Sequence, residues 1–453
     1  MRAAAVCLSA LACACAGPGR STAPGLADLP PLAIGAVGTE ASELPAIGSQ
    51  WFPVDGATVA VLAGERSFEA ARTRLQDEAA AIEHNQARRS RWPSLRPHAR
   101  YYQLDGSTQG TTGEFVEVDK QNLTLGVGFV LELDVIESRA RALAAHQARR
   151  ATVLESEAAR RATVLSARER LDHLIAAQNE IAIARDAFDQ TRSITARERD
   201  LEDAGAGLAV DRLRAEAGEA EAEGDVFRAE AAFHGASTRL AELLRIDPRV
   251  TLYAPSPGIA AVELIDSEAS LEELIEEALA QRPEIAAALL RVDEARERDS
   301  GSRDGLWMPQ LVVSTDFDAF GFNAGSLDDR ENVMIGLEWD LSPERFGRRE
   351  QTQLGIRKNE LALSYQRESV RASVVRNYEI ARVSRFSIDT AERRIAAAVT
   401  AAKVVGERRK QGAALLVEVL DAQRQVALAR KALLDAVLAH NKAQRRLEFA
   451  LGR

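Results

Sequence analysis

The chain has 453 residues with 58 basic and 68 acidic side chains, which gives a formal net charge of −10 at pH 7. This acidic balance excludes the broad basic surface that a nucleic-acid-binding protein needs. All three cysteines lie among the first 15 residues, so the rest of the chain has no thiol chemistry and no disulfide framework. The six histidines are scattered, and no metalloprotease, phosphate-loop or nucleophile-elbow motif occurs. We therefore predict no catalytic site, cofactor or metal, and an enzyme is the least favoured class.

The N-terminus has the pattern of a compact secretory signal. A single Arg precedes an uncharged run over residues 3–14, which is rich in Ala, Leu and Cys and too short to span a bilayer. The small residues before Cys15 are similar to a bacterial lipobox, and this resemblance makes Cys15 the lipidated first residue of the mature protein. Ala16 follows it, which is similar to sorting to the outer membrane. Cys13 is an alternative lipid site, and cleavage without lipid attachment is another.

Two pairs of segments alternate between apolar and polar residues, which predicts two β-hairpins. One pair joins residues 95–105 to residues 122–134, and the other lies within residues 309–341. Each segment has about the ten residues that a tilted strand needs to cross the apolar band of an outer membrane. A half-buried hairpin of a soluble domain would explain one such pair, but a second copy favours membrane strands.

A tryptophan stands near each predicted change between helix and strand. Trp92 and Trp307 precede the two hairpins, with a proline one and two positions later respectively, and Trp339 lies on the apolar face of the last strand. Tryptophan in such a position is typical of a membrane interface. Ordinary packing beside a helix breaker is the alternative.

Two helical patterns of almost 70 residues dominate the chain, over residues 135–203 and 344–410. At about 1.5 Å per residue each helix would be about 100 Å long. Neither fits a globular domain, so each must belong to a coiled coil or a wall. The shorter helix before each hairpin and the return helix after each turn together match the long one in length. Each half is therefore predicted to form a slab two helices wide.

The chain contains an internal duplication. The segment that begins at Gly205 aligns without a gap on the segment that begins at Gly412, 207 positions later. The offset nearly holds at the strands, where Gly128 corresponds to Gly336. Residues 17–53, rich in Pro, Gly and Ala, are typical of an extended tether. The predicted domains are a signal (1–15), a tether (16–56), a first helix–hairpin–helix repeat (57–250), a connector (251–270) and a second repeat (271–453).

Glycines mark the points where the long helices reverse. Gly205, Gly207 and Gly412 can take the positive φ that a tight helix reversal requires. Acidic residues lie near both turns, and rings of such side chains in an oligomer would favour cations and repel anions. Solvated charges at helix ends are the alternative explanation. These candidate constriction residues are Asp203, Asp211, Glu418 and Asp421.

From about residue 58 to the C-terminus, the chain resembles the TolC-like outer membrane efflux protein family. The pattern LEELIEEALAQRPEI from Leu271 is similar to that family's helix opening, and GLEWDL from Gly336 is similar to the strand that leads into its second long helix. The turn over residues 412–423 is similar to its periplasmic tip. In the first half, Arg66 stands at the position that corresponds to Pro283.

The resemblance implies a mainly α fold with β structure in a homotrimer of the Gram-negative outer membrane. Twelve strands, four from each chain, would form one transmembrane β-barrel, and twelve helical columns would form a tunnel across the periplasm. Counting strands alone, two chains would suffice, because the smallest usual barrels have eight. The two tips are implied to dock on a periplasmic adaptor of an inner-membrane pump.

The expected function is that of the outer membrane channel of a tripartite export system, which passes small molecules from pump and adaptor to the exterior. A conduit for type I protein secretion is an alternative that these residues do not separate from it. A coiled-coil scaffold of the cell envelope, without transport, is a further alternative. It explains the long helices but not the two amphipathic hairpins placed between them.

Overall fold

The computed structural model describes residues 50–111, 113–265, 270–322 and 325–453. The predicted signal, both candidate lipid sites at Cys13 and Cys15, and most of the predicted tether lie outside the described residues. The elements in chain order are β1 (Trp51–Pro53), α1 (Gly56–Arg66), α2 (Phe68–Arg89), β2 (Ser94–Gln109), β3 (Phe115–Leu133), α3 (Val135–Asp203), α4 (Ala209–Leu244), β4 (Thr251–Tyr253), α5 (Leu271–Gln281), α6 (Pro283–Asp304), β5 (Gln310–Gly321), β6 (Leu327–Glu338), α7 (Pro343–Lys410) and α8 (Leu416–Leu451).

Both halves contain the same set of helices. α1, α2 and α4 have 11, 22 and 36 residues, and α5, α6 and α8 have the same three lengths. In each half these lengths together match the long helix, which has 69 residues in α3 and 68 in α7. The expected stacking is observed, because α3 packs along α1, α2 and α4, and α7 packs along α5, α6 and α8.

The two halves join into one slab of four helical columns. α3 also packs against α6 and α8. The order across the slab is therefore α7, then the stacked α5, α6 and α8, then α3, and finally the stacked α1, α2 and α4. α3 and α6 approach closely near the sheet, where a Cβ on Gly301 would overlap the Cβ of Ala140.

The last residues of the predicted tether belong to the folded body. Trp51 to Pro53 form the short strand β1, which pairs in parallel with β4. The ring of Trp51 stacks on buried Phe233 of α4, with 6.2 Å between ring centroids and 17° between planes. This stretch is half-buried. The Asp55 side chain accepts a hydrogen bond from the Thr58 N–H at 2.7 Å and caps α1, which therefore begins at Gly56.

The first repeat breaks its opening helix with a serine where the second uses a proline. The Ser67 side chain accepts a hydrogen bond from the Ala70 N–H at 3.1 Å and so caps α2. In the second repeat, Pro283 is the first residue of α6, where its missing N–H costs nothing. Phe68, the first residue of α2, therefore occupies the position of Pro283, and the correspondence with Arg66 is corrected by two residues.

The four long strands form one antiparallel sheet in the order β2, β3, β5, β6. β2 and β3 have 16 and 19 residues, against 12 each for β5 and β6. The first hairpin is thus longer than its alternation predicts, because the strands continue through Gly106, Ser107 and Thr108, where no apolar pattern marks them. Within the described residues the sheet is open, and β2 and β6 each pair on one side only.

Sheet order and column order are the same. β2 follows α2, β3 leads into α3, β5 follows α6, and β6 leads into α7. Each strand therefore continues a helical column. The chain consists of four such units side by side, each a helical column joined to one strand, and we call these units staves. Among the helices in the described ranges, none is both long and apolar enough to cross a membrane.

Candidate functional site

The two helix-reversal tips have the same backbone geometry. Gly205 and Gly412 have φ values of +71° and +73°. In the first tip the Gly205 N–H donates to the Glu202 carbonyl and the Ala206 N–H to the Leu201 carbonyl, both at 2.8 Å. The residues 207 positions later make the same two bonds in the second tip, at 3.0 and 2.8 Å. This pairing closes the C-terminus of a helix and requires the left-handed residue that glycine provides.

Gly207 has a different role in the first tip. It is not among the glycines with a positive φ. A Cβ at Gly207 would lie 2.8 Å from the backbone nitrogen of Glu202, so the chain passes too close to the end of α3 for a side chain. The equivalent position of the second tip holds buried Ala414.

An ion pair joins the two tips within one chain. Arg409, near the end of α7, places Nη2 2.8 Å from Glu198 of α3 and 3.3 Å from Asp211 of α4. Glu198 is only 3% exposed. Burial opposes the charge on Arg409, but hydrogen bonds to Glu198 and Asp211 outweigh it and raise the pKa of the guanidinium. The partners are 211 and 198 residues apart, so no local sequence pattern indicates this contact.

The four predicted constriction residues have different surroundings. Asp211 is held by Arg409, whereas Asp203 and Asp421 are exposed. Glu418 is also exposed, and its Oε2 lies 3.4 Å from the N–H of Leu415 that it accepts from. The structure therefore leaves three solvent-facing carboxylates at the tips and ties the fourth into the ion pair.

Both tips also expose aliphatic side chains at matching positions, which the sequence patterns did not single out. Leu208 and Leu415 are 69% and 65% exposed, and Val210 and Val417 are 55% and 52% exposed. Each pair is separated by the 207 positions of the duplication. Four apolar side chains, two at each tip, are therefore exposed at the end of the slab opposite the sheet.

The three predicted interface tryptophans lie at one end of the sheet. Trp92 precedes β2, Trp307 precedes β5, and Trp339 directly follows β6. All three are largely exposed. They therefore share the level at which strands change into helices.

A row of charged residues crosses one face of the sheet. His98, Gly126, Asp318 and Arg330 occupy successive strands in register. The Asp318 carboxylate lies 3.0 Å from Nε2 of His98 and 2.7 Å from Nη2 of Arg330. A Cβ on Gly126 would overlap this carboxylate, so only glycine leaves room for the row. The opposite face carries apolar residues such as Leu125, and the charged face is the one suited to a watery interior.

No group of three or more His, Cys, Asp or Glu side chains within the described ranges is arranged to hold a metal ion. The described residues place exposed aliphatic and acidic side chains at the tips and an amphipathic sheet at the other end.

Comparison with known proteins identifies this architecture. Residues 274–453 match the family described as outer membrane efflux protein. No curated protein matches the chain.

Solved structures resemble nearly the whole chain. The CmeC outer membrane channel of Campylobacter jejuni is 15% identical with a TM-score of 0.75, covering 93% of this chain and 94% of that one. The open state of the MtrE outer membrane channel of Neisseria gonorrhoeae is 18% identical with a TM-score of 0.72, covering 93% and 96%. The outer membrane protein VceC of Vibrio cholerae is 16% identical with a TM-score of 0.72, covering 88% and 96%. These structures have the same overall fold, and they confirm the predicted fold class. Over residues 274–453 the chain therefore resembles the outer membrane efflux protein family, and over nearly its whole length it has the fold of outer membrane channels.

Proposed function

We propose that this protein is the outer membrane channel of a tripartite export system and conducts small molecules from an inner-membrane pump and a periplasmic adaptor to the exterior. The observation that carries the proposal is the stave arrangement, in which each strand continues a helical column in the same lateral order. If copies are placed side by side around an axis, the same arrangement closes the strands into a barrel and the helical columns into a tunnel.

The lateral edges of the chain support this assembly. β2 and β6 each have one unpaired side within the described residues, and open strand edges are not tolerated in lipid. The helical edges carry apolar stripes at a spacing of seven residues, which is typical of helix–helix packing. On α2 the stripe is exposed Phe68, Leu75 and Ile82, and on α7 it includes exposed Leu354 and Leu361.

The two stripes lie on opposite edges, so the contact they form is heterologous and generates a ring when the rotation closes. Three copies would give twelve strands and twelve columns, the number that the family resemblance implies. The charged row of His98, Asp318 and Arg330 would then line the interior of the barrel.

The tips are the proposed docking surface for the adaptor. Leu208 and Val210 of one tip and Leu415 and Val417 of the other are exposed to similar degrees. We propose that both tips insert these aliphatic groups into apolar sites on the adaptor. Asp203, Glu418 and Asp421 remain the proposed constriction charges, while Asp211 acts with Arg409 to hold the two tips together.

The anchor at the N-terminus is a separate proposal. A lipid on Cys15, or on the alternative Cys13, would tether the chain to the outer membrane. Cys15→Ala should abolish labelling by a radioactive lipid precursor, and Cys13→Ala should preserve it. Loss of labelling only in the Cys13 variant would show that Cys13 carries the lipid. An unlabelled parent chain would show that the protein is not lipidated.

The channel itself is tested in two steps. Native mass measurement in detergent should give three copies, and the purified oligomer should conduct ions in a planar bilayer. A stable monomer would rule out the barrel, and a non-conducting oligomer would favour the envelope scaffold. Drug accumulation and protein secretion are then compared in a deletion strain that carries this gene, because a small-molecule channel lowers drug accumulation, whereas a type I secretion conduit restores protein secretion.

A further inference from the structure

The ends of α2 and α3 next to the sheet form a strongly basic region. Residues 84–91 and 138–154 contain seven arginines and two histidines, with no aspartate or glutamate. The whole chain, by contrast, carries 68 acidic and 58 basic side chains. The cations at this end of the two helices are therefore a local concentration of charge that the overall composition does not explain.

Four of these side chains lie close together across the two helices. The rings of His84 in α2 and His146 in α3 have centroids 5.6 Å apart. Burial lowers the pKa of His84, and three neighbouring cationic groups lower it further, namely His146, Arg149 and Arg88. Nδ1 of His84 is buried and has no hydrogen-bond partner among the described residues. We call His84, Arg88, His146 and Arg149 the basic patch.

The charge of the basic patch is not neutralised within the described part of the chain. Arg88 and Arg149 are exposed, and neither of them forms an ion pair with a described residue. Arg141 does pair with Glu137, at 2.8 Å, but it lies about 140° around α3 from His146. Exposed guanidinium groups without a carboxylate partner suit an anion with several oxygens, because each presents N–H donors in a planar fork.

The second repeat carries carboxylates at the equivalent positions. The first residues of α2 and α6 are equivalent and lie 215 positions apart. By this offset Arg88 corresponds to Arg303, whose Nε lies 2.8 Å from the carboxylate of Asp304. His84 corresponds to Asp299. The duplication has therefore left an arginine with a carboxylate partner in one half and an arginine without one in the other.

The basic patch lies on the face of the slab that carries the connector. After β4 the chain crosses α3 and α8 on one face, where Asn179 donates to the Pro257 carbonyl at 2.6 Å and Asn441 donates to the Ala260 carbonyl at 2.9 Å. In the proposed tunnel this crossing must lie outside, because inside it would obstruct the bore. His146 lies 33 residues before Asn179, so the two are within about 60° of each other around α3. The patch therefore belongs to the outer wall.

The patch also lies near the membrane surface of the proposed channel. Arg88 and His84 precede Trp92 by four and eight residues, which along a helix is about 6 Å and about 12 Å. Side chains slant toward the N-terminus of a helix, so those of α3 slant toward the sheet and the membrane. The polar layer of a bilayer is about 5 to 8 Å thick on each side. Long arginine side chains can therefore reach the lipid phosphates around the barrel.

We propose that the basic patch binds the phosphodiester groups of anionic phospholipids in the leaflet next to the helices, and so fixes the height of the channel in the bilayer. The inference rests on the proposed placement of the sheet in the outer membrane. Arg88 and Arg149 donate charge-assisted hydrogen bonds to the phosphate oxygens. Exposed Trp92 lies beside them at the level of the glycerol groups, as tryptophan does at membrane interfaces.

Lipid retention by the intact protein tests this site. Native mass spectrometry in detergent counts bound phosphatidylglycerol, with zwitterionic phosphatidylcholine as the comparison lipid. The double variant Arg88→Gln with Arg149→Gln should bind phosphatidylglycerol about 25-fold more weakly than the parent, at about fivefold for each arginine. Arg303→Gln is the matched control and should bind like the parent, because Asp304 already neutralises that arginine. All three positions are exposed, so the variants should fold.

The outcomes separate this site from the channel itself. Equal affinity of the parent and the double variant for phosphatidylglycerol would overturn the inference, and so would equal retention of the two lipids. Displacement of the lipid by an equal concentration of inorganic phosphate would show a site for soluble anions and overturn the assignment to lipid. The double variant should keep the oligomer mass and conductance of the parent. A monomeric parent that retains the lipid would overturn only the channel, and a monomer without lipid would overturn both.

Discussion

The two tips have the same backbone conformation but differ in the charge of their side chains. Glycines with nearly equal φ values reverse both long helices with the same pair of hydrogen bonds. The last turn of α7 carries Arg408, Arg409 and Lys410, which suits the negative end of a helix dipole, whereas the last turn of α3 has no basic residue. Arg409 crosses to Glu198 and Asp211 and supplies the charge that the first tip lacks. The duplication has thus preserved the geometry while the side chains became complementary, so the two tips are not interchangeable.

The largest effect on function, a loss of export, is expected at the glycine turns that the two tips share. Gly412→Val forces a branched side chain to a φ of +73°, at a local cost of about 1 to 2 kcal/mol. We expect export to fail while oligomer mass and membrane insertion are retained, because the sheet lies about 100 Å away along the helix.

Gly406→Val is the matched control, since this residue lies within helix α7 with open space around it. Normal export by Gly412→Val at normal abundance would show that the second tip is not a docking element. Gly205→Val has the same strain at +71°, so any difference in export between the two variants measures how unequally the tips dock. We expect the Gly205 variant to be the milder one.

A buried carboxylate in the first repeat makes the stability of that repeat depend on pH in a way that the second repeat does not share. Asp172 of α3 is 4% exposed; burial raises its pKa to about 6, with Arg445 of α8 acting against the shift. Because the folded pKa is above the unfolded value of 3.8, the folded state binds the proton more tightly. The penalty for charging Asp172 is absent below pH 3.8, grows between the two values and is complete above about 6, reaching the order of 3 kcal/mol.

Asp172→Asn should therefore flatten the decrease in melting temperature between pH 4 and 6. Glu379, 207 positions later in α7, pairs with Arg382 at the surface, so Glu379→Gln should leave the profile as in the parent. Parallel profiles for the parent and Asp172→Asn would contradict this assignment.

The ion pair between the tips gives an intermediate effect. Arg409→Ala leaves the Glu198 carboxylate buried without its cation, which should destabilise the tip by about 2 kcal/mol, given that Arg409 itself is partly exposed. Faster amide hydrogen exchange in the last turns of α3 and α7 measures this loss. Adding Glu198→Gln to Arg409→Ala should recover part of the lost stability. If amide exchange is as fast in this double variant as in Arg409→Ala alone, the ion pair between Arg409 and Glu198 does not stabilise the tip.

The smallest effect is expected at the helix breaks. Ser67→Ala removes the side-chain cap of α2 and should cost about 1 kcal/mol in the free energy of unfolding. Pro283→Ala removes no hydrogen-bonding group at the equivalent position, so its cost should be smaller. Chemical denaturation of both variants compares them, and equal losses would show that the serine hydroxyl is not the stabilising group.

Much of the fold was predictable because its signals are local and repeated. The long pattern over residues 135–203 is α3 to the residue, and glycine with the 207-residue offset located both tips. The unpredicted features depend on distant partners. β1 forms because Trp51 stacks on Phe233 of α4 and pairs with Thr251 of β4. Arg409 lies close to Glu198 only because the folded chain places the end of α7 beside the end of α3. The extension of β2 has no alternating apolar pattern. In the proposed barrel it lies beyond the part of the sheet that has lipid on one face and water on the other.

In the proposed trimer, the stave arrangement would limit the size of the cargo. Helices pack about 9 to 10 Å apart and strands about 4.8 Å apart, so twelve of each enclose circles with radii of about 18 Å and about 12 Å. The wall must taper where columns become strands, and the close approach of Gly301 to Ala140 beside the sheet is such a narrowing. After side chains are added, the bore of the strands is narrower than a folded domain of 100 residues, whose radius of gyration alone is about 13 Å. In that trimer, molecules that traverse the wide periplasmic section in a compact form would have to be small, or be threaded as an extended chain, to leave the cell.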